Sequence, residues 1–254
     1  MNSLRDRRAR PILLTFGLVA ALAWVYVVRG AGMDAGMPEM DMAGGAMMAM
    51  RPGWTVGYAA LVFGMWVVMM AAMMLPSAAP AAVHAARVGG RPNAAVPAAL
   101  LFAGGYLVVW VGFSAVAVLA QWALDASHLL SRALAIDGAA VSGVTLIAIG
   151  LYQASRWKHA ALRRCSAAAC NGAAERGLWG AARPGIRYGA ACLVCCAALM
   201  GLLFVVGAMN VLWAALLAAW VFAEKTFAWG GRLAAAGGIL LIAWGAAAVT
   251  GALR

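Results

Sequence analysis

Charge is scarce in this chain. Asp, Glu, Lys and Arg make up 11% of its 254 residues, whereas apolar types make up 66%; a soluble domain carries roughly 25% charged residues. That shortage excludes a water-solvated globule. Catalytic signatures are missing as well: there is no Walker loop, no dinucleotide-binding glycine pattern, no Gly-x-Ser-x-Gly elbow and no zinc-protease motif. Without a phosphate-binding loop, the chain does not carry an ATP-driven pump by itself. Histidine occurs three times, at His84, His128 and His159. None stands at a paired spacing such as His-x3-His, so each reads as a surface histidine and not as a ligand.

What is present is material for a bilayer. A chain of this length has room for six to eight spans of about 20 residues with short connections. Abundant Gly and Ala fit close helix approach in lipid. The fold expected is an all-α, polytopic transmembrane bundle of about seven spans, N-terminus inside, in the inner (cytoplasmic) membrane. Residues 1–10 form a basic cytoplasmic N-terminus and 11–28 the first span, too long an apolar run for a signal core. Residues 29–53 form an extracytoplasmic loop. Residues 54–252 form a six-span domain whose spans cover about 54–75, 95–119, 139–152, 188–206, 208–221 and 233–252. The second span stops at Pro76, with helical continuation toward Arg87, and a basic cytoplasmic loop occupies 156–187.

The net charge of +11 would suggest nucleic acid in a soluble chain. Here no nucleic-acid partner is expected, because the cations sort by side. Fifteen of the nineteen Lys and Arg fall in inner segments, and only Arg29, Arg51, Arg132 and Arg254 fall outside, as the positive-inside rule requires. Trp54, Trp122, Trp157 and Trp229 lie near span ends, where aromatic anchors belong.

Sulfur is concentrated in three places. The loop 29–53 holds Met33, Met37, Met40, Met42, Met47, Met48 and Met50. A polar loop has no core for them to fill, and thioethers capture Cu(I) or Ag(I) even where thiols would oxidise. The plainer reading is a linker of biased composition. On the second span, Met65, Met69 and Met73 repeat every four residues and share a stripe, with Met70 and Met74 about 100° further round. Such a stripe is more often packing than ligand. The third place is thiol-rich. Cys165 and Cys170 lie in the basic loop, and Cys192, Cys195 and Cys196 fall within an arc of about 100° of one helix, with Met200 beside that arc two turns on. Small apolar filling is the alternative for any one of them. All five cysteines belong to the reducing side, which argues against a disulfide framework. Span directions bring Met73 and Met74 to the same leaflet as the thiols. Glu224 and Lys225 end the sixth span near them, either as an interfacial pair or as a carboxylate that completes a site or relays protons. Asn210, beside Met209, reads as a cap, and Gln153 poses the same question as Glu224.

At these residues the chain resembles a family of predicted metal-binding integral membrane proteins, a domain of unknown function whose members are often labelled copper chaperones. The resemblance spans roughly Trp54 to Phe227. It is carried by Met69-x2-Ala72-Met73-Met74-Leu75-Pro76-Ser77 with Pro80, Gly105-Tyr106 with Trp110, and Gly150-Leu151-Tyr152-Gln153 with Lys158. Gly189-x2-Cys192-x2-Cys195-Cys196 with Leu199-Met200, then Gly207-x-Met209-Asn210, Trp213 and Glu224-Lys225, complete it. The family's Lys-x2-Cys-Leu-x2-Cys is here Lys158-x2-Ala161-Leu162-x2-Cys165, so one thiol is replaced by alanine. Val194 and Ala197 stand where the family resembles Gly and Trp.

The expectation is a protein that binds a soft metal ion, Cu(I) in the first instance and zinc as the alternative. Its ligand candidates are Cys192, Cys195, Cys196, Met200, Met69, Met73, Met74, Cys165, Met209 and Glu224. Its partners are the lipid bilayer, the metal ion, and a membrane metalloprotein or metal-accepting chaperone. The rival readings are a membrane thiol-redox enzyme and an assembly partner of a membrane metalloprotein; no catalytic residue is assigned.

Overall fold

The structure is a computed structural model describing residues 9–30, 39–40, 48–49, 53–88, 95–129, 136, 138–170, 178–208 and 210–251. Eight helices run in order: α1 Ala9–Val28, α2 Val56–Val88, α3 Ala95–Ala126, α4 Ala139–Ala154, α5 Arg156–Cys170, α6 Leu178–Val206, α7 Val211–Thr226 and α8 Gly230–Thr250. Strands β1 (Glu39–Met40) and β2 (Met48–Ala49) pair antiparallel. The fold is all-α. Among the described residues five helices are long and apolar enough to cross a membrane, namely α1, α2, α3, α6 and α8. With 16 residues each, α4 and α7 span about 24 Å, short of a hydrocarbon core of about 30 Å.

Helix α2 does not stop at its prolines. Pro76 and Pro80 both lie inside its 33 residues, although each lacks the N–H that the carbonyl four residues earlier would accept from. Side chains bind the backbone in this stretch. Ser77 Oγ donates to Met74 O at 2.9 Å, Tyr106 OH donates to the same carbonyl at 3.4 Å, and Tyr188 OH donates to Ser77 O at 3.4 Å. Neighbouring helices and hydroxyls are what make proline tolerable in a span. This stretch of α2 is thereby tied to α3 and α6.

The basic stretch 156–187, expected as a loop, is largely helical. Helix α5 occupies 156–170 and α6 already begins at Leu178. Lys158, Ala161 and Cys165 recur at intervals of three and four and are buried, whereas Trp157, Arg163 and Arg164 are exposed. An amphipathic helix with one buried face satisfies its own backbone while lying on α6, against which it packs.

Glycines set the approach of the helices that carry the site. A Cβ at Gly105 would overlap the Ala182 carbonyl, and one at Gly185 would overlap the Phe102 carbonyl. The α3 and α6 backbones therefore touch at this crossing, which puts Tyr106 beside the thiols of α6. Between α6 and α7 the chain reverses at Gly207, whose φ of 94° suits glycine. Asn210 then caps α7 by accepting from Trp213 N at 3.2 Å, the capping role expected of it.

Candidate metal centre

The thiols lie where α6 meets α3, α5 and the last turn of α7. Cys192, Cys195 and Cys196 are each 0% exposed, and their sulfurs lie within 4.8 Å of one another. Sulfurs bound about 2.3 Å from one shared ion stand about 4 Å apart, so three ligands need little movement to meet a metal. Cys195 Sγ is 3.2 Å from Cys196 Sγ and the same distance from Cys192 O. Helical spacing brings the three to one side of α6, and the neighbouring helices close that side.

Polar groups from other elements surround the sulfur. Lys225 Nζ donates to Cys192 Sγ at 2.7 Å and to Ser77 Oγ at 3.1 Å, and lies 5.7 Å from the centre of the Tyr188 ring. Tyr106 OH is 3.2 Å from Cys192 Sγ. Cys165, on the buried face of α5, lies close enough to Cys192 and Cys195 for their thiols to influence its own. Cys192 is the largest cause pushing the Cys165 thiol up to about 12; the Cys165 proton therefore stays in place at neutral pH. A fourth thiol thus reaches the cluster from outside its helix.

Glu224 is engaged by side chains of neighbouring helices. It is paired with Lys158 at 2.7 Å, with the two side chains 1% and 0% exposed. It also accepts from Gln153 Nε2 and, at 2.7 Å, from Trp220 Nε1. The interfacial pair read from the sequence, Glu224 with neighbouring Lys225, is not formed: consecutive helical residues diverge by about 100°, so one turns to Lys158 and the other to Cys192. Lys158 Nζ also donates to Cys195 O at 2.6 Å. Burial alone would lower the Lys158 ammonium, but Cys196 and the Glu224 carboxylate overcome it and hold its pKa above the ordinary value. The ion pair therefore braces the backbone beneath the thiols. His159, expected on the surface, is half-buried with its ring nitrogens 2.8 and 3.0 Å from Ser155 O and Gly231 O, tying α5 to α8.

The methionines divide. Met73, Met74 and Met200 are buried at 0–1% exposure, and the Met74 carbonyl shares Tyr106 OH with Cys192. Met69 instead lines, with Met65, Val27, Gly30, Ala208, Val211 and Ala214, a cavity of about 40 Å³ at the opposite end of α7 from Lys225. Fourteen residues of helix separate the two ends, about 21 Å. Met69 is therefore not gathered with the thiols. Met209, the side chains of the Met33–Met50 series and that of Cys170 lie outside the described residues. Tyr106 and Ser77 were not read as contacts of the thiols, although both stand in the motifs that carry the family resemblance and each puts a hydroxyl inside an otherwise apolar span.

This arrangement suits a soft ion held by thiolates, with ammonium groups nearby to offset negative charge. Residues 63–248 match the family PpoB2, described as copper chaperone. No curated protein and no solved structure matches the chain.

Proposed function

The chain belongs to the PpoB2 copper chaperone family, and from that premise we propose that it is a multi-pass inner-membrane protein that binds Cu(I) and hands it to another metal-binding protein. Cys192, Cys195 and Cys196 are the principal ligands, with Cys165, Met73, Met74 and Met200 around them. In this reading the shorter helices α4 and α7 also cross, where the bilayer thins to match them, and with α1, α2, α3, α6 and α8 they give seven spans. The N-terminus and the basic helix α5 face the cytoplasm, as the fifteen-to-four division of cations favours. The methionines of 29–53 collect the ion on the far side, Met209 is a further candidate ligand, and Glu224 acts through its pairing with Lys158.

One observation carries this reading. Three thiols converge to within 4.8 Å in a site closed to water, and an ammonium donates to one of them. Small apolar filler needs no such partner. Detergent-purified protein under reducing conditions should hold about one copper per chain. Elemental analysis of Cys195→Ser with Cys196→Ser should show that copper gone; equal copper, silver and zinc contents in the two proteins would end the proposal.

The 3.2 Å contact of Cys195 and Cys196 sulfurs also keeps a thiol-redox reading in play. A redox enzyme would show a reversible disulfide on thiol trapping in cells, and a carrier would show thiols only. Adjacent cysteines make a strained disulfide, which favours the carrier.

A further inference from the structure

The three thiols are sealed, so exchange of cargo on the α5 side of the bundle needs an opening in the wall there. At the end of the bundle where α5 lies, a cleft of about 550 Å³ is lined by His159, Leu162, Arg163 and Ser166 of α5 and by residues from Glu224 to Gly231 where α7 passes into α8. A neighbouring cleft of about 560 Å³ shares His159 and Gly231 and adds Arg232. Lys225 belongs to both the cleft and the site: the residue forms part of the cleft wall, while its Nζ touches Cys192 Sγ. A four-carbon, freely rotating stem thus stands between the cleft and the sulfur.

The charge of that wall selects what can enter. Arg163 and Lys225 are cationic, and Arg232 continues the same sign next door. The one lining carboxylate, Glu224, is already paired with Lys158 beneath it, so it offers the cleft little negative charge. A bare Cu(I) ion would be repelled, whereas an anion would be drawn in. The volume falls within the range of small-molecule sites.

We infer that this cleft is the door through which copper is exchanged on the α5 side of the bundle, and that the ion passes it bound to a small thiol bearing carboxylate groups. The inference rests on the reading of Cu(I) as cargo. On entry the carrier's carboxylates meet Arg163 and Lys225, and the Lys225 ammonium swings from Cys192 to the carrier. Cys192 sulfur then bonds to copper as the carrier's sulfur–copper bond breaks. The proton displaced from Cys192 goes to the departing carrier sulfur, and copper stays Cu(I) throughout. Delivery runs the same steps in reverse.

The test loads metal-free, full-length protein in detergent with Cu(I) presented by anionic glutathione or by cationic cysteamine, following thiolate–copper absorbance in a stopped-flow instrument. Because the two donors differ in their own affinity for copper, the readout is the ratio of loading rates and its change on substitution. Arg163→Glu should lower the glutathione-to-cysteamine ratio at least tenfold, and Arg163→Gln by a smaller factor, with the final copper content unchanged. Raising the salt concentration should shrink the wild-type ratio toward that of Arg163→Gln. Copper bound normally with a ratio that neither variant nor salt moves would overturn the door alone. Wild-type protein that takes copper from neither donor would overturn both the door and the function it serves.

Discussion

Two sets of sulfur in this bundle are buried to the same degree. Met65, Met69, Met70, Met73 and Met74 on α2 are at most 4% exposed, and Cys192, Cys195 and Cys196 on α6 are 0% exposed. Their surroundings differ. The outer methionines face Val27, Val211 and Ala214 around a small apolar cavity, which is what a flexible thioether fills well. The thiols face Lys225, Tyr106, Cys165 and a backbone held by Lys158. Burial alone does not separate a ligand from a filler. Polar groups do, because bringing an ammonium and a hydroxyl into a span is costly unless something there needs them. Met73 and Met74 sit at the junction, on a filler helix but beside the polar end.

The sharpest break of this comparison is in metal content. Cys195→Ser with Cys196→Ser should take copper from about one per chain to background by elemental analysis, whereas Met65→Leu with Met69→Leu should leave it in place. Loss of copper from both variants would make the two sulfur sets one site. The next effect is in pH. Cys165 keeps its proton at neutral pH, and every ligand thiol that gives up a proton weakens apparent affinity about tenfold per pH unit of acidification. Competition with a Cu(I) chelator between pH 8 and pH 6 measures the slope, and the methionine variant should follow the same slope as the wild type.

Stability effects come next. Lys158→Met strands the Glu224 carboxylate in a buried place and should cost about 3–5 kcal/mol. Lys158→Met with Glu224→Leu should recover much of that in thermal unfolding of the detergent-solubilised protein. Gly185→Ala pushes a methyl into the Phe102 carbonyl and should cost about 1–3 kcal/mol, opening α3 from α6 and moving Tyr106 off Cys192. The smallest change is expected for Met69→Leu, under about 1.5 kcal/mol, since the site holds only apolar neighbours; a larger loss would mean that the outer stripe does more than pack.

Much of the fold was legible because each span is a local property. The apolar runs of α1, α3 and α8 and the Gly207–Asn210 break between α6 and α7 could be read from composition and from cap chemistry. Helix α5 was obscured by its arginines, which looked like a loop until the buried stripe Lys158, Ala161, Cys165 found α6 to lie on. Pro76 gave a stop signal, yet α2 continues through it to Val88, packed against α3 and α6. The thiol arc was visible as helical spacing. The partners of its members were not: Glu224 and Lys225 are neighbours in sequence, and only the rotation of α7 sends one to Lys158 and the other to Cys192.

From its sequence alone, the chain was bound to be helical and apolar, with three thiols on one face of a helix. Side-chain hydropathy and a turn of 3.6 residues settle such matters within a few residues of chain. Which sulfurs acquire polar neighbours was left to tertiary structure. That outcome depends on how closely α3 and α6 cross at Gly105 and Gly185, and on where α5 and α7 end. Those contacts join residues distant in the chain, and no local pattern encodes them.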